Sequence, residues 1–305
     1  METLVIGPGA IGCLLAGLLT RSGQTVYLLD HKRDRAERIA DQGLRIETSE
    51  GIEHYPASIS ADPSELPPPD LALVCVKAYS TSSALKHACY AMTDKTLVVS
   101  VQNGLGNYQQ IARRIPPHRV FAGSTLHGAT RIADGYVRHA GRGTTLISPC
   151  DPTAISSADE IASYFNAAGI ETTCVADRDV MIWRKLVLNA AINPLTAIHG
   201  LPNGALLENS TIRSTMHATV AEATRVAKKK DARLALSDPE GEADRVCHAT
   251  AGNISSMLQD IQAGRKTEID SITGSLVDEA NRLGVPTPIN SDLLVQVRRL
   301  ESRNP

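Results

Sequence analysis

The sequence lacks the features that mark metal-binding, disulfide-bonded and nucleic-acid-binding proteins. Its formal net charge over 305 residues is only −2, which argues against a general role at nucleic acids or membrane surfaces. The six cysteines form no Cys-x-x-Cys pair, so we expect buried thiols in a reducing cytoplasm. The nine histidines are dispersed, and we expect no bound metal.

A long uninterrupted apolar run is missing as well. The apolar start of the chain, from Thr3 to Leu19, is interrupted by Gly7, Pro8, Gly9 and Gly12 and has no basic leader. It is too short and too kinked for a membrane span, and we interpret it as a strand, a turn and a helix. A composition of 42% hydrophobic and 21% charged residues predicts a globular chain with room for two domains.

The first half of the chain alternates short β-rich runs with helical patterns. The clearest strand patterns cover residues 4–6, 25–29, 71–76 and 96–101. This alternation is typical of an α/β fold in which helices wrap a parallel sheet. From Asp177 onward the pattern is helical almost throughout. We therefore predict two domains, residues 1–177 and residues 178–305.

A glycine-rich turn follows the first predicted strand. The six residues Gly7, Pro8, Gly9, Ala10, Ile11 and Gly12 have the spacing G-x-G-x-x-G and open a predicted helix. Gly7 and Gly9 would allow a tight turn and close approach of a pyrophosphate, and Gly12 would let the helix pack on the strand. Because the helix N-terminus also attracts anions, the turn predicts a dinucleotide site.

The end of the second predicted strand gives a mixed signal about the cofactor. Asp30 could accept hydrogen bonds from a ribose 2′-hydroxyl, which favours NAD(H), whereas the basic residues after it could balance the 2′-phosphate of NADP(H). Asp30 would repel that phosphate unless it turned away or paired with Lys32 or Arg33. The residues alone leave both cofactors open.

Two more predicted strands deliver polar residues at their carboxyl ends. Lys77 follows residues 71–76, and Gln102-Asn103-Gly104 follows residues 96–101. Ligands of open α/β sheets bind at this edge, so we expect Lys77 and Asn103 to contact cofactor or substrate. The alternative is an exposed loop lysine and a turn-forming Asn-Gly pair.

An apolar helix pattern near the start of the second domain carries three polar residues at four-residue intervals. Lys185, Asn189 and Asn193 fall within about an 80° arc of that helix. One cation and two amides suit a small, oxygen-rich ligand, although a solvated helix face is the alternative interpretation. The position just past the domain boundary favours a wall of the cleft that we expect beside the dinucleotide.

Taken together, these residues resemble the ketopantoate reductase family, also called 2-dehydropantoate 2-reductases. The resemblance rests on the glycine motif, on Gln102-Asn103-Gly104, on the run from Lys185 to Asn203-Gly204, on Ser255-Ser256-Met257-Leu258-Gln259-Asp260 and on Thr267-Glu268-Ile269-Asp270. It implies a Rossmann domain followed by an all-α domain like that of 6-phosphogluconate dehydrogenase. It also implies reduction of ketopantoate to pantoate with NADPH, on the pantothenate route to coenzyme A.

The resemblance assigns roles to individual residues. Lys185 becomes the general acid, because a ketone that receives hydride develops negative charge that an ammonium group can neutralise. Glu268 would orient Lys185 or bind the substrate hydroxyl. Substrate contacts are expected from Asn103, Asn189, Asn193, Asn203 and Ser256. Cofactor contacts are expected from Gly7, Pro8, Gly9, Ala10, Ile11, Gly12, Asp30, Lys32, Lys77, Asn103 and Glu268.

Several alternatives stay open at this stage. The chain could reduce a different 2-oxo acid or oxidise a 3-hydroxy acid, and a non-catalytic nucleotide-binding protein is a more distant alternative. We expect NADP(H) as cofactor, and a homodimer is one expected assembly. In a regular helix Ser256 and Glu268 would lie about 120° apart, so they should approach the ligand from different sides or across a bend near Gly264.

Overall fold

The computed structural model describes residues 1–303, with side chains through residue 302. Two compact units divide the chain. The first unit contains Met1–Gln102 and Gly106–Arg178, and the second contains the short segment Asn103–Leu105 together with the chain from Asp179 onward. The second unit thus includes three residues from the first half of the sequence. The predicted division into residues 1–177 and 178–305 places these three residues in the first domain.

The chain forms twelve strands and eleven α-helices over the described residues. The strands are β1 (Thr3–Ile6), β2 (Val26–Leu29), β3 (Leu44–Thr48), β4 (Gly51–Tyr55), β5 (Ser58–Ser60), β6 (Leu71–Val74), β7 (Leu97–Ser100), β8 (Val120–Thr125), β9 (Gly128–Ala133), β10 (Tyr136–Gly141), β11 (Thr145–Pro149) and β12 (Thr172–Cys174). The helices are α1 (Ala10–Arg21), α2 (Arg33–Gln42), α3 (Thr81–Ala88), α4 (Asn107–Ala112), α5 (Ile155–Ala167), α6 (Arg178–His199), α7 (Ser210–Lys230), α8 (Pro239–Ala249), α9 (Ser256–Gln262), α10 (Ser275–Leu283) and α11 (Pro288–Arg303). A π-helical segment, Asp270–Gly274, leads into α10.

An eight-stranded sheet forms the centre of the first unit. Its order is β12-β11-β8-β7-β6-β1-β2-β5, and the six strands from β8 to β5 all pair in parallel. These six follow the strand order 3-2-1-4-5-6 of the doubly wound dinucleotide-binding sheet, so the predicted parallel α/β fold is confirmed. Ile6 pairs with both Leu29 and Val74, and the chain segments after β1, β2 and β6 therefore leave the sheet at the same edge.

A second, four-stranded sheet with the order β4-β3-β10-β9 also belongs to the first unit. Of its strands only β10 corresponds to a β-like run in the sequence, near residues 136–139. The strands β3 and β4 alternate hydrophobic with charged residues and are mostly half-buried or exposed. They form no continuous apolar run, and the alternation in β3 covers only five residues, which makes its signal weak.

The second unit packs its helices around one apolar core, to which α6, α7, α10 and α11 all contribute. Glu222 of α7 is buried inside this unit, and its carboxylate accepts the backbone N–H groups of Ile289 (3.2 Å) and Asn290 (3.0 Å). The carboxylate thus caps the N-terminus of α11 from a neighbouring helix, where the free N–H groups and the helix dipole favour a negative charge.

Ser256 and Glu268 do not share one regular helix. The helix α9 ends at Gln262, and Gly264 takes a left-handed conformation with φ of 62° before the chain turns toward the π-helical segment. The bend expected near Gly264 is therefore present. Among residues 1–303, no helix has the length and apolarity needed to cross a membrane.

Candidate functional site

The glycine turn after β1 is built by close backbone contacts. Gly7 has φ of 96°, and a Cβ atom at this position would lie 2.5 Å from Cγ1 of Val76. A Cβ atom at Gly12 would lie 2.2 Å from the carbonyl oxygen of Gly7. Any side chain at either residue would force the turn apart. Gly9 differs, because a Cβ atom there would meet nothing within 4 Å.

This open space lies at the N-terminus of α1. Gly9 is the N-cap residue of the helix, and no side chain caps its first turn. The N–H of Gly9 itself donates to the carbonyl of Gly7 at 2.9 Å. The N–H groups of the first helical turn therefore face outward without a side-chain acceptor, and with the helix dipole they form an anion site that fits a pyrophosphate. The residues present fit a dinucleotide.

Asp30 lies at the end of β2, but its carboxylate is buried and already paired. Both of its oxygens accept from the Arg35 guanidinium, through Nε and through Nη2, the latter at 2.6 Å. Burial lowers the pKa of Arg35, and the hydrogen bond with Asp30 outweighs this effect, so that the pKa is raised overall. The backbone N–H of Lys32 adds a third hydrogen bond to Asp30, at 3.1 Å.

Pairing with Lys32 or Arg33 was one of the two ways in which Asp30 could avoid repelling a 2′-phosphate, and the structure shows a different side-chain partner. The guanidinium that pairs with it belongs to Arg35, in the first turn of α2. The spacing of five residues places the guanidinium beside the strand end, where the carboxylate can accept two parallel hydrogen bonds. Lys32 is exposed at the N-cap of α2.

Lys77 lies three residues beyond β6, half-buried at the start of the turn that leads into α3. Gln102 holds this turn, because its Nε2 donates to the carbonyl of Val76 and to Oγ1 of Thr81, both at 2.7 Å. No role of Gln102 is predicted from the sequence alone. Its place beside Asn103 in the motif Gln-Asn-Gly was the available signal.

The polar stripe on α6 becomes more deeply buried along its length. Lys185 and Asn189 are half-buried, Asn193 is 7% exposed, and Thr196 is fully buried. Thr196 lies 11 residues after Lys185, about 20° from it around the helix, and therefore extends the same stripe. Its Oγ1 lies 2.6 Å from Oγ of Ser255. Sequence reasoning missed Thr196, although the 11-residue spacing could have identified it.

Ser255 and Ser256 have different environments. Ser255 is the N-cap residue of α9, and its Oγ accepts the N–H of Leu258 at 3.1 Å. Ser256 is the first residue of that helix and is half-buried. Because the Ser255 hydroxyl is used by the cap and by Thr196, Ser256 is the better candidate of the two for a ligand contact.

Asn203 is tied to the loop that precedes α9. Its Nδ2 donates to Oγ1 of Thr250 at 2.8 Å, and its backbone N–H donates to the carbonyl of Asn253 at 3.0 Å. Its Oδ1 is buried and accepts no hydrogen bond from residues 1–303. A buried acceptor of this kind is costly to leave unsatisfied, which favours a hydroxyl donor from a ligand.

Lys185 and Glu268 interact electrostatically within the second unit. Burial lowers the pKa of Lys185 to about 8, and the negative charge of Glu268 opposes part of that shift. Glu268 is only 6% exposed. A lysine in this environment holds a proton at neutral pH and releases it more readily than an ordinary lysine, which is the property of a general acid.

Asn103 belongs to the same unit as Glu268. Leu105 donates its N–H to the carbonyl of Ser271 at 3.0 Å. A Cβ atom at Gly104, where φ is 89°, would lie 2.2 Å from that carbonyl oxygen, so only glycine fits between Asn103 and Leu105. The Gln-Asn-Gly motif thus places Asn103 on a segment that packs against Ser271, which is three residues beyond Glu268 in the sequence.

Comparison with known proteins identifies the family of the chain. A family model described as ketopantoate reductase PanE/ApbA matches residues 3–152, and the model for the C-terminal part of the same family matches residues 177–301. The 2-dehydropantoate 2-reductase of Halobacterium salinarum is 36% identical over 299 residues, covering 98% of each chain. That of Pyrococcus horikoshii is 34% identical and covers 99% of this chain and 98% of its own.

A solved structure is similar along the whole chain as well. The PanE/ApbA family ketopantoate reductase of Ralstonia eutropha is 32% identical, covers 100% of this chain and 99% of its own, and superposes with a TM-score of 0.89. Both halves of the sequence, its full-length relatives and its fold therefore agree. The chain belongs to the ketopantoate reductase family.

Proposed function

We propose that this chain is a 2-dehydropantoate 2-reductase, which reduces ketopantoate to pantoate with NADPH on the route to pantothenate and coenzyme A. The observation that carries the proposal is the interaction between the Lys185 ammonium group and the buried Glu268 carboxylate. NADPH supplies the hydride when bound. The remaining work, which falls to the protein, is to hold the 2-oxo acid and to deliver a proton to its ketone oxygen.

Lys185 performs the proton transfer in this proposal. The ketone oxygen gains negative charge as hydride arrives, and the ammonium group donates first a hydrogen bond and then a proton to it. A pKa of about 8 keeps the amine protonated at neutral pH and still allows it to give up its proton more readily than an ordinary lysine. Glu268 supports this state, because its charge favours the protonated form of Lys185.

The other polar residues of the second unit hold the substrate. Asn189 and Asn193 continue the stripe that begins at Lys185, and their amides can donate to carboxylate oxygens or accept from a hydroxyl. Ser256 and Asn103 are proposed contacts of the same kind. Asn203 offers a buried Oδ1 that a substrate hydroxyl would satisfy.

The first unit binds the cofactor in this proposal, with residues 1–177 as the dinucleotide-binding domain and residues 178–305, with Asn103, as the substrate domain. The turn from Gly7 to Gly12 would hold the pyrophosphate, and Lys77 would contact the cofactor from the end of the neighbouring strand. All six cysteines are free thiols, which suits our expectation of a cytoplasmic protein. A homodimer remains an expectation.

The paired state of Asp30 supports NADPH over NADH. Its carboxylate accepts three hydrogen bonds from Arg35 and Lys32, which leaves little capacity for a ribose 2′-hydroxyl. Arg35 also neutralises its charge, so a 2′-phosphate near this strand end would meet the exposed Lys32 and Arg33 without repulsion from Asp30.

The proposed function is tested by steady-state reduction of ketopantoate with each cofactor. We expect kcat/KM to be higher with NADPH than with NADH, and higher with ketopantoate than with 2-oxo acids that lack its hydroxyl group. A clear preference for NADH would overturn the cofactor assignment. Turnover of another 2-oxo acid in place of ketopantoate would overturn the substrate assignment and leave the reductase chemistry intact.

Replacing Arg35 by Ala should shift the cofactor preference toward NADH. The change leaves Asp30 charged and unpaired, so it repels the 2′-phosphate and gains free acceptors for a 2′-hydroxyl. Loss of one charge-assisted contact predicts a fall of roughly 10- to 100-fold in kcat/KM for NADPH relative to NADH. Arg38→Ala is the matched control, because Arg38 lies on the same helix but is exposed and pairs with Asp34 and Asp134. An unchanged preference in Arg35→Ala would contradict the role given to the pair.

A further inference from the structure

The backbone on both sides of Glu268 is fixed by a single carboxylate from α11. Thr267 donates its N–H and its hydroxyl to Oε1 of Glu301, at 2.7 and 2.6 Å. The same Thr267 hydroxyl accepts the N–H of Ile269 at 3.1 Å. The N–H groups of Thr267 and Ile269, the residues on either side of Glu268, are therefore linked, through one threonine, to Glu301.

The carbonyl of Glu268 is held as well. It accepts the N–H groups of Ser271 and Ile272, both at 3.0 Å, where the π-helical segment begins. Thr267 is fully buried and Glu268 is 6% exposed, so water offers these backbone groups little alternative. The main chain at Glu268 consequently has one arrangement, and its carboxylate projects from a fixed base.

We propose that Glu301 is a positioning residue of this enzyme, which acts on Lys185 through Thr267 and Glu268. The proposal gives Glu301 no contact with substrate or cofactor. Its two hydrogen bonds from Thr267 are charge-assisted and short, and they set where the Glu268 carboxylate lies relative to the Lys185 ammonium group. The proposal rests on the proposed function, since it deepens the role of that same pair.

Other charges near this segment are already engaged with one another. Arg298 of α11 pairs with Asp270 at 2.7 Å, and Lys266 lies 3.7 Å from the same carboxylate. These groups are about half exposed, so solvent screens their effect on Lys185. Arg298 nevertheless links α11 to the segment that contains Glu268. A variant of Arg298 is therefore a matched control for the loss of a contact between α11 and this segment.

The test combines Glu301→Ala with Glu268→Gln in a double-mutant cycle. With Glu268 less well placed, the pKa of Lys185 should fall, so the high-pH limb of the kcat profile should move to lower pH in Glu301→Ala. We expect a shift of about 0.3–1 pH unit, which corresponds to a loss of roughly 1.2- to 3-fold in kcat at pH 7.5. In the Glu268→Gln background the same change should add no further shift.

Companion variants separate positioning from stability. Glu301→Gln keeps an acceptor oxygen and should restore most of the wild-type profile, and Arg298→Gln should leave the profile in place. Thr267→Val removes only the hydroxyl link and is expected to give the same shift. It replaces Glu301→Ala in the test if that variant folds poorly. Two results would overturn the proposal. One is that Glu301→Ala causes the same shift in the Glu268→Gln background as in the wild type, and the other is that Arg298→Gln causes an equal shift.

A second measurement does not depend on turnover. The rate at which an amine-specific acylating reagent modifies Lys185, followed by peptide mass spectrometry across pH, reports the pKa of its amine directly. Glu301→Ala should lower that pKa, and Glu301→Gln should not. If this result appears while ketopantoate is not reduced, the substrate assignment fails and the positioning role stands. An unchanged Lys185 titration in Glu301→Ala overturns the positioning role, whatever the substrate.

Discussion

Replacing Lys185 by Ala is expected to lower kcat by about 10²- to 10⁴-fold, the usual contribution of a general acid. The variant keeps the apolar face of α6, because Lys185 is only half-buried among residues that pack in the core of the second unit. The loss should therefore appear in turnover with little change in Tm. Single-turnover reduction of ketopantoate with NADPH measures the chemical step itself.

The pH profile gives the same prediction a second readout. A general acid works in its protonated form, so wild-type kcat should be full below the pKa of Lys185 and should fall as pH rises through about 8. The fall in kcat above about pH 8 should be absent from the profile of Lys185→Ala. Arg184→Ala is the matched control on the neighbouring residue, because Arg184 is exposed and pairs with Glu242. Near-normal turnover in Lys185→Ala would remove the assignment.

Replacing Gly9 by Ala should weaken dinucleotide binding without unfolding the protein. The backbone of Gly9 has φ of −80° and ψ of −168°, a conformation open to alanine, and a methyl group there meets no protein atom within 4 Å. The methyl group would instead occupy space that we assign to the pyrophosphate. Overpacking of this kind costs about 1–3 kcal/mol, or roughly 5- to 150-fold in Kd.

Isothermal titration with NADPH, together with thermal unfolding without cofactor, checks this result. Gly252→Ala is the control, because Gly252 also has open space and an ordinary backbone but lies in the second unit. It should leave both Kd and Tm unchanged. Equal NADPH affinity in Gly9→Ala and the wild type would place the pyrophosphate elsewhere.

The dinucleotide-binding sheet was predictable because its strands are apolar runs buried on both faces. The patterns at residues 4–6, 71–76 and 96–101 correspond to β1, β6 and β7, with ends that differ by one or two residues. The four-stranded sheet was not predicted as a unit, because β3 and β4 carry mixed polarity and the second partner of β3 is the distant strand β10. Pairing between distant strands leaves no periodic mark in a local window.

The stripe on α6 was predictable from helical spacing, since Lys185, Asn189 and Asn193 follow a fixed interval. The partner of Asp30 was not, because His31, Lys32, Arg33 and Arg35 are all basic or titratable and only the start of α2 decides which of them reaches back. Glu301 and Thr267 are 34 residues apart in the sequence, so no local motif predicts the hydrogen bond between them.

The bond between Thr267 and Glu301 also bears on the order in which the enzyme is made. Ribosomal synthesis delivers Lys185 and Glu268 before Glu301, and domains generally fold as units from the N-terminus. A nascent chain that has emerged only as far as α10 already has both members of the pair but lacks the carboxylate that fixes the base of Glu268. If these residues have the roles proposed above, proton transfer reaches full efficiency only once α11 has docked.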